Sequence, residues 1–419
     1  MPKIGSKKML QVLEASMPEG MISMTAAQSL FTEQASTNYV YRLLTQMEDA
    51  GILKRAVQRL TIGDHSRTTH YFKLTDAGLD YLIQHSCDFV ILDAARMIDN
   101  ASVPVYKGMK SREKSGFFRV QEIEFFLRSC GVLTLTKPRP AQAPSIFGSA
   151  SREISEARSF ADLYERVLIL GRNHNPSVAD SAAFYRSNEI KPYNISVEQA
   201  KRHEISVISS SYRGAILSPS RGILVYRPIK RLGIGWNPNV EKAVRDRAAG
   251  FALRTLPGCQ LSIRDHFSGL ILVSNQKEML DIMQGTGLKA FQPDVFRRPF
   301  QNLYLLTNDA VGRRQMRFLL KNERAHMELT NRVQNLNGFA ANSGAPLFPL
   351  RYRDTPCFIG ILPDAARLAL LLSDVFKSSS KDYAVLCLPC QQTFYQTLFP
   401  NKKMLCLRSE YDLFSDPST

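Results

Sequence analysis

The stretch ASTNYVYRLLTQMEDAGILKR, residues 35–55, has the pattern of a half-buried helix with a sharp exit. Four apolar residues recur at the spacing of one helical face: Val40, Leu43, Leu44 and Met47. Ser36 precedes them as an N-cap, and Gly51 follows them where a left-handed residue commonly ends a helix. The opposite face is polar and aromatic. We therefore predict a helix that buries one side and offers the other to a ligand.

Two helices are predicted before this stretch, and a hairpin and a helix after it. KKMLQVLEASM (7–17) and MTAAQSLF (24–31) have short apolar helical patterns, the second with Thr25 as its N-cap. ILKRAVQRLTI (52–62) and THYFKLT (69–75) alternate as strands around a turn at residues 63–66. Thr75 then opens the helix DAGLDYLIQHS.

This order of elements is that of a winged helix-turn-helix, and residues 1–86 resemble bacterial winged-helix DNA-binding domains. MEDAGILKR matches the family phrase L-x-x-AGL, with Met47 and Ile52 in the two leucine places. YFKLTDAGLDYL matches the phrase Y-x-LT-x-x-G, with Phe72 in the tyrosine place. The resemblance implies that the third helix enters the DNA major groove and that the hairpin forms the wing.

The exposed face of the third helix and the hairpin supply the candidate DNA contacts. Asparagine can pair with adenine and arginine with guanine, while hydroxyls and cations suit phosphates. The predicted contacts on the helix are Ser36, Thr37, Asn38, Tyr39, Tyr41 and Arg42. Those on the hairpin and its flanks are Lys54, Arg55, Arg59, His65, Arg67 and His70. The alternative is a winged helix that binds protein and leaves these charges solvated.

The charge balance agrees with a nucleic-acid partner. The 419 residues hold 54 Lys+Arg against 38 Asp+Glu, a net charge of +16, which favours a polyanion over a neutral surface. No apolar run approaches the roughly 20 residues of a membrane span, and the N-terminus lacks a signal-like apolar core. Seven scattered cysteines suit a reducing cytoplasm. We expect double-stranded DNA as the partner and no membrane.

Three regions are predicted along the chain. Residues 1–86 form the winged helix, and residues 87–150 form a connector with a helix at 115–132 and the Pro-rich linker TKPRPAQAPS. Residues 151–419 alternate helices with short apolar strands: GLILVS, NLYLLTN, CFIGILP, YAVLCLP and KMLCLR. The pattern predicts a mixed α/β fold whose last domain has a largely parallel sheet. A degenerate restriction-endonuclease-like core is one form of such a domain.

A second basic cluster decorates the predicted hairpin SYRGAILSPSRGILVYRP and its exit. Its members are Arg213, Arg221, Arg227, Lys230 and Arg231. They form a candidate second phosphate-contacting surface, and the alternative is a solvated charged face.

Signals for catalysis are weak. Glu189-x-Lys191 is similar to a nuclease motif in which a carboxylate holds Mg²⁺ and lysine polarises the water, but the expected upstream aspartate is missing. The pair Cys387-x-x-Cys390 has no second pair of zinc ligands at suitable spacing. Phosphate-loop, dinucleotide and nucleophile-elbow motifs are absent from the sequence. We therefore expect no catalytic residue, metal or cofactor. The alternatives are a Mg²⁺-dependent nuclease and a ligand-sensing winged-helix regulator.

The layout beyond the winged helix resembles the replication-relaxation family of plasmids and integrative conjugative elements. The phrases that carry the resemblance are FRVQEIEFFLRSCGV, FYRSNEIK and SSYRGAILSPSRGILVYRP, together with the winged helix. It implies a cytoplasmic, non-catalytic accessory protein that binds double-stranded DNA in replication or relaxosome assembly. A relaxase or another mobile-element protein, and a second copy of the chain in a homodimer, are the implied protein partners.

Overall fold

The protein divides into two compact units. The first comprises Met1–Arg186 with Arg254–Gly258, and the second comprises Ser187–Leu253 with Cys259–Thr419. The computed structural model describes residues 7–16, 20–31, 37–62, 65–86, 111–132, 182–187, 190, 212–218, 220–228, 238–256, 259, 261, 266–284, 299–373, 382–407 and 413–414. Over these residues the fold is mixed α/β with three sheets, and some of the strand pairs are parallel.

The first unit is built around a three-stranded antiparallel sheet with order β1-β3-β2. Its helices are α1 (Lys7–Ser16), α2 (Met24–Phe31), α3 (Thr37–Asp49), α4 (Asp76–His85) and α5 (Ser111–Ser129). Its strands are β1 (Met21–Ser23), β2 (Leu53–Ile62), β3 (His65–Leu74) and β4 (Ala183–Arg186). The predicted order of helices and hairpin over residues 7–86 is found. The strand β1 was not predicted, and it forms by pairing with β3.

One face of this sheet carries the helical core. The predicted stripe of α3 is at most 1% exposed, and it packs with Ile22, Leu53 and Phe72 of the three strands. The N-cap predicted for α2 was wrong. The hydroxyl of Ser23, rather than Thr25, accepts a hydrogen bond from the N–H of Ala26, so the helix begins at Met24.

A hydrogen-bonded contact joins the end of α3 to the start of α4. The Thr75 hydroxyl lies 2.6 Å from the Gly51 carbonyl and 2.9 Å from that of Ile52, and its oxygen accepts from the N–H of Gly78. Gly51 has φ +70°, a conformation that glycine adopts without strain. A Cβ on Gly78 would lie 2.3 Å from the Ile52 carbonyl oxygen. The predicted helix exit and the predicted cap at Thr75 are both confirmed, and they contact each other.

The helix α5 covers the other face of the same sheet. The ring of Phe118 packs 5.1 Å from that of Tyr71, and the Gln121 side chain donates to the Met21 carbonyl. Tyr71 and Phe72 are neighbours in β3 and both are buried, because both faces of the sheet are covered. The sequence placed this helix in a connector between domains. In the structure the helix belongs to the first compact unit.

A buried ion pair also lies in the first unit. Arg186 of β4 donates from Nε and Nη2 to the two carboxylate oxygens of Glu124 in α5, at 3.0 and 2.7 Å. The two side chains are 4% and 1% exposed. Removing either partner would leave an uncompensated charge, which typically costs about 3–5 kcal/mol.

The second unit contains two sheets. Its helices are α6 (Pro238–Thr255), α7 (Gln276–Gln284), α8 (Ala310–Lys321), α9 (Ala325–Gln334), α10 (Ala365–Leu372) and α11 (Gln392–Leu398). The residues of α6 up to Leu253 belong to this unit. The strands of the first sheet that belong to this unit are β5 (Tyr212–Leu217), β6 (Gly222–Tyr226), β7 (Phe267–Val273) and β8 (Leu303–Thr307). The other sheet has β9 (Phe339–Ala341), β10 (Leu350–Tyr352), β11 (Thr355–Ile359), β12 (Ala384–Cys387) and β13 (Lys403–Cys406).

The expected largely parallel sheet is found only in part. The strands β6, β7 and β8 are parallel, as are β11, β12 and β13, whereas β5 pairs with β6 as an antiparallel hairpin. The strands β9, β10 and β11 are also antiparallel. A two-residue turn joins β10 to β11, with φ of 45° at Arg353 and 71° at Asp354. Positive φ at both positions is typical of tight hairpins, although glycine is absent here.

Asp364 fixes the start of α10 and contacts β8. Its Oδ1 accepts from the N–H groups of Ala366, at 2.9 Å, and Leu303, at 3.3 Å. Its Oδ2 lies 3.3 Å from Nε2 of His326, whose Nδ1 lies 2.9 Å from an Arg367 guanidinium nitrogen. Arginine can only donate, so Nδ1 accepts and the proton of the neutral imidazole sits on Nε2. Burial, with the Arg367 charge, lowers the pKa of His326.

The contact at Gly78 predicts a steric effect on stability. Gly78→Ala should lower the free energy of unfolding of the first unit by about 1–3 kcal/mol, because the new methyl group overlaps the Ile52 carbonyl. Urea denaturation followed by circular dichroism measures the loss. Asp80→Ala, at an exposed position of the same helix, is the control and should change little. Equal stability of Gly78→Ala and the native protein would contradict the close approach.

The His326 network predicts a pH dependence. Its pKa is lowered from 6.5 in the folded state, so the unfolded chain binds the proton first as pH falls. Stability from this group is fully present above about pH 6.5 and is lost as pH drops towards the lowered pKa. His326→Gln should therefore flatten the stability profile below about pH 6.5, by at most about 1.4 kcal/mol per pH unit. The control is His85→Gln, at an exposed position, and a profile unchanged by His326→Gln would contradict the assignment.

Candidate nucleic-acid interface

The helix α3 presents three polar side chains on one exposed face. Asn38, Tyr41 and Arg42 lie three and four residues apart, which places them on the same side of the helix. The buried stripe occupies the opposite side, so all three point to solvent, and Tyr41 is 48% exposed. An amide, a phenol and a guanidinium are thus brought together as donors and acceptors, the chemistry that reads base edges.

Arg55 of β2 joins the hairpin to this helix. Its guanidinium lies 2.7 Å from the Glu48 carboxylate and donates to the hydroxyls of Thr45, at 3.1 Å, and Tyr41, at 3.2 Å. It also lies over the rings of Tyr41 and Phe72, 5.4 Å from each centroid. The hydrogen bond with Tyr41, helped by Glu48, raises the pKa of Arg55.

These contacts give Arg55 a structural role within the first unit. The sequence predicted a DNA contact, and the structure places the guanidinium against three side chains of α3, where it orients the Tyr41 ring. Glu48 and Thr45 were not identified as site residues. Their spacing of three residues along α3 puts them on one face, but the choice of Arg55 as their partner depends on how β2 folds back.

The other predicted residues of α3 lie at its first turn. Tyr39 is half-buried, and Lys8 Nζ lies 4.7 Å from the centre of its ring. It therefore faces α1 at the edge of the exposed surface. Ser36 and the side chain of Thr37 lie outside the described residues.

The hairpin carries exposed cationic and titratable groups near its base. Lys54 is exposed and pairs in register with Lys73, while exposed His70 is opposite Val57. Directly opposed residues point to the same face of a sheet, so Lys54 and Lys73 concentrate positive charge there. The backbone of the hairpin is described to Ile62 and from His65. The side chains of Arg59, His65 and Arg67 lie outside the described residues.

The arginines of the second basic cluster have structural partners. Buried Arg227 donates to the Leu272 carbonyl and the Ser274 hydroxyl, at 3.1 and 2.7 Å. Arg221 donates to the carbonyls of Leu319 and Asn322.

Arg213, the third of these arginines, also bonds within its own unit. It donates to the Tyr212 carbonyl, and burial lowers its pKa to about 10. Of the three, Arg221 and Arg227 connect the β5–β6 hairpin to other segments of the second unit. Lys230 and Arg231 lie outside the described residues.

Metal and nuclease chemistry finds no further support in the described ranges. They contain no group of three or more His, Cys, Asp or Glu side chains placed to hold a metal ion. Cys387 is buried and its Sγ lies 3.9 Å from that of Cys406, whereas Cys390 is exposed beyond the end of β12. The nuclease-like pair Glu189 and Lys191 lies outside the described residues.

Comparison of the chain with protein-family models, curated proteins and solved structures finds no match. Among the helices that the structure describes, none combines the length and the apolar character needed to cross a membrane.

The Arg55–Glu48 contact predicts a modest energetic coupling. Both side chains are 30% exposed, so solvent weakens the pair and a double-mutant cycle with alanine should give about 0.2–1 kcal/mol. Urea denaturation of the two single variants and the double variant measures it. The control is the same double-mutant cycle between Arg55 and Asp49, the exposed residue that follows Glu48, and it should give no coupling. Equal couplings in both cycles would show that the Glu48 contact is not specific.

Proposed function

We propose that the first unit is a winged helix-turn-helix that binds double-stranded DNA. The helix α3 acts as the recognition helix, and the β2–β3 hairpin acts as the wing. The observation that carries the proposal is the shared exposed face of Asn38, Tyr41 and Arg42, opposite a stripe that is at most 1% exposed. A helix held rigidly by its buried side can present those side chains to the major groove in one orientation.

Complementary chemistry supports α3 as the element that reads bases. Asparagine pairs with adenine through two hydrogen bonds, and arginine pairs with guanine in the same way. Because Arg55 contacts both the hydroxyl and the ring of Tyr41, this side chain is oriented before DNA arrives. An oriented side chain loses less conformational freedom on binding, so the contact contributes more to affinity.

The hairpin is suited to the sugar-phosphate backbone. Ten residues in each strand give it a length of roughly 30 Å, enough to reach a neighbouring groove. Lys54 and Lys73 are paired across its base, where each phosphate contact would release a condensed counterion. The sequence predicts three further contacts on the hairpin, at Arg59, His65 and Arg67.

The biological setting that we propose follows from the sequence resemblance to the replication-relaxation family. The protein would act as a non-catalytic accessory factor of a plasmid or conjugative element, in replication or relaxosome assembly, together with a relaxase. The genes beside its own test this setting. A neighbouring relaxase or coupling-protein gene supports it, and a metabolic operon contradicts it.

Substitutions on α3 test the DNA-binding proposal. Asn38→Ala and Arg42→Ala should each weaken binding to a selected duplex site by about 1–3 kcal/mol and change binding to random duplex much less, since base contacts specify sequence. Fluorescence anisotropy with both duplexes measures the two affinities, after the site has been selected from a random library. Gln84→Ala, at an exposed position of α4, is the control.

Two results would count against this assignment. Equal losses on selected and random duplex would mean that Asn38 and Arg42 touch only phosphates. If the native protein enriches no duplex from the library, the proposal that it binds DNA sequence-specifically is wrong.

A further inference from the structure

Cationic and aromatic side chains lie together at one end of the strands of the last sheet. The parallel strands β12 and β13 begin at this end with Ala384 and Lys403, which are partners in register. The strand β10 ends here at Tyr352, which pairs with Thr355 at the start of β11. We call this surface the cationic–aromatic edge, and its members are Phe339, Tyr352, Arg353, Lys402 and Lys403. Arg351, the neighbour of Tyr352 in β10, points to the other face of the sheet and donates to the Asn342 side chain at 2.9 Å.

Tyr352 is the centre of this edge. The guanidinium carbon of Arg353 lies 5.5 Å from the centre of its ring, and Lys403 Nζ lies 5.7 Å from it. The Phe339 ring packs at a centroid distance of 5.0 Å and an angle of 50°. Gly338 has φ +88°, and a Cβ there would lie 3.0 Å from the Tyr352 ring. Because Gly338 has no Cβ, its backbone can lie against the Tyr352 ring without displacing the ring.

The charged groups of this edge are largely in solvent. Arg353 and Lys403 are exposed, and the rings of Tyr352 and Phe339 are partly exposed. Lys402 lies next to them in sequence, with its Nζ 4.6 Å from the centre of the Tyr383 ring. The carboxylates of Asp354 and Asp382 belong to the same edge, so the three cations Arg353, Lys402 and Lys403 outweigh two acids. The surface is thus positively charged and has accessible aromatic area.

We propose that the cationic–aromatic edge binds single-stranded nucleic acid. Bases stack on Tyr352 and Phe339, and phosphates contact Arg353 and Lys403. Proteins that bind single strands combine a cationic track with aromatic rings, because every unpaired base offers a flat face for stacking. A duplex hides those faces between its base pairs, so partly exposed rings discriminate against it. This surface belongs to the second unit and is separate from the proposed duplex-binding face of α3.

The test uses the full-length protein and labelled dT20 and rU20, with fluorescence anisotropy as the readout. Tyr352→Leu should weaken binding of the single strands about tenfold, and Tyr352→Phe should leave it nearly unchanged, since the ring provides the stacking. Arg353→Ala and Lys403→Ala should each reduce the log–log salt slope by about 0.7, the value for one phosphate on a single strand. Lys277→Ala, at an exposed cation of α7, is the control and should leave the slope unchanged.

The outcomes separate this proposal from the duplex-binding proposal. If dT20 binding is intact in Tyr352→Leu, Arg353→Ala and Lys403→Ala, the edge is not the site and the proposal is overturned. It is also overturned if unlabelled duplex of random sequence competes as well as dT20. Loss of duplex binding in Asn38→Ala with dT20 binding unchanged supports two separate surfaces. A preference between dT20 and rU20 identifies the natural strand, and comparable binding of both means that the 2′-hydroxyl is not read.

Discussion

The hydrogen bonds between Thr75 and the carbonyls of Gly51 and Ile52 connect the parts of the first unit on which its candidate function depends. They join the exit of α3, the start of β2 and the first turn of α4 within one small region. The missing Cβ of Gly78 allows this approach, and the left-handed backbone at Gly51 directs the chain from the helix into the hairpin. The orientation of α3 relative to β2 is therefore set by local geometry. Both proposed DNA-contacting elements inherit that orientation.

The structure also divides the cations of this basic chain into two kinds. Arg186, Arg221 and Arg227 satisfy buried carboxylates or main-chain carbonyls, so their charge contributes to folding rather than to an open surface. Lys54, Arg42 and the exposed members of the cationic–aromatic edge face solvent. A net charge of +16 thus overstates the charge available to a polyanion. The position of each cation, more than the total, decides where a nucleic acid could bind.

Each unit contains a buried carboxylate that is hydrogen-bonded to residues distant in sequence. Glu124 and Arg186 are 62 residues apart and are buried together in the first unit. Asp364 in the second unit caps α10, accepts from the N–H of Leu303 and holds the neutral imidazole of His326. Each carboxylate accepts at least two hydrogen bonds, which compensates in part for its removal from water. Such networks favour one packing arrangement over alternatives that would leave a buried charge without a partner.

Sequence by itself determined the features that depend on near neighbours along the chain. Apolar spacing identified the buried stripe of α3, and residue chemistry identified the exit at Gly51 and the cap at Thr75. It also located the β5–β6 hairpin and the apolar strands of the second unit. Only the tertiary structure decided that α5 covers the sheet of the first unit, that Arg55 orients Tyr41 and that Arg221 and Arg227 are used internally. Periodicity and capping are local, whereas the partner of a long side chain depends on which distant segments meet, and no local pattern encodes that meeting.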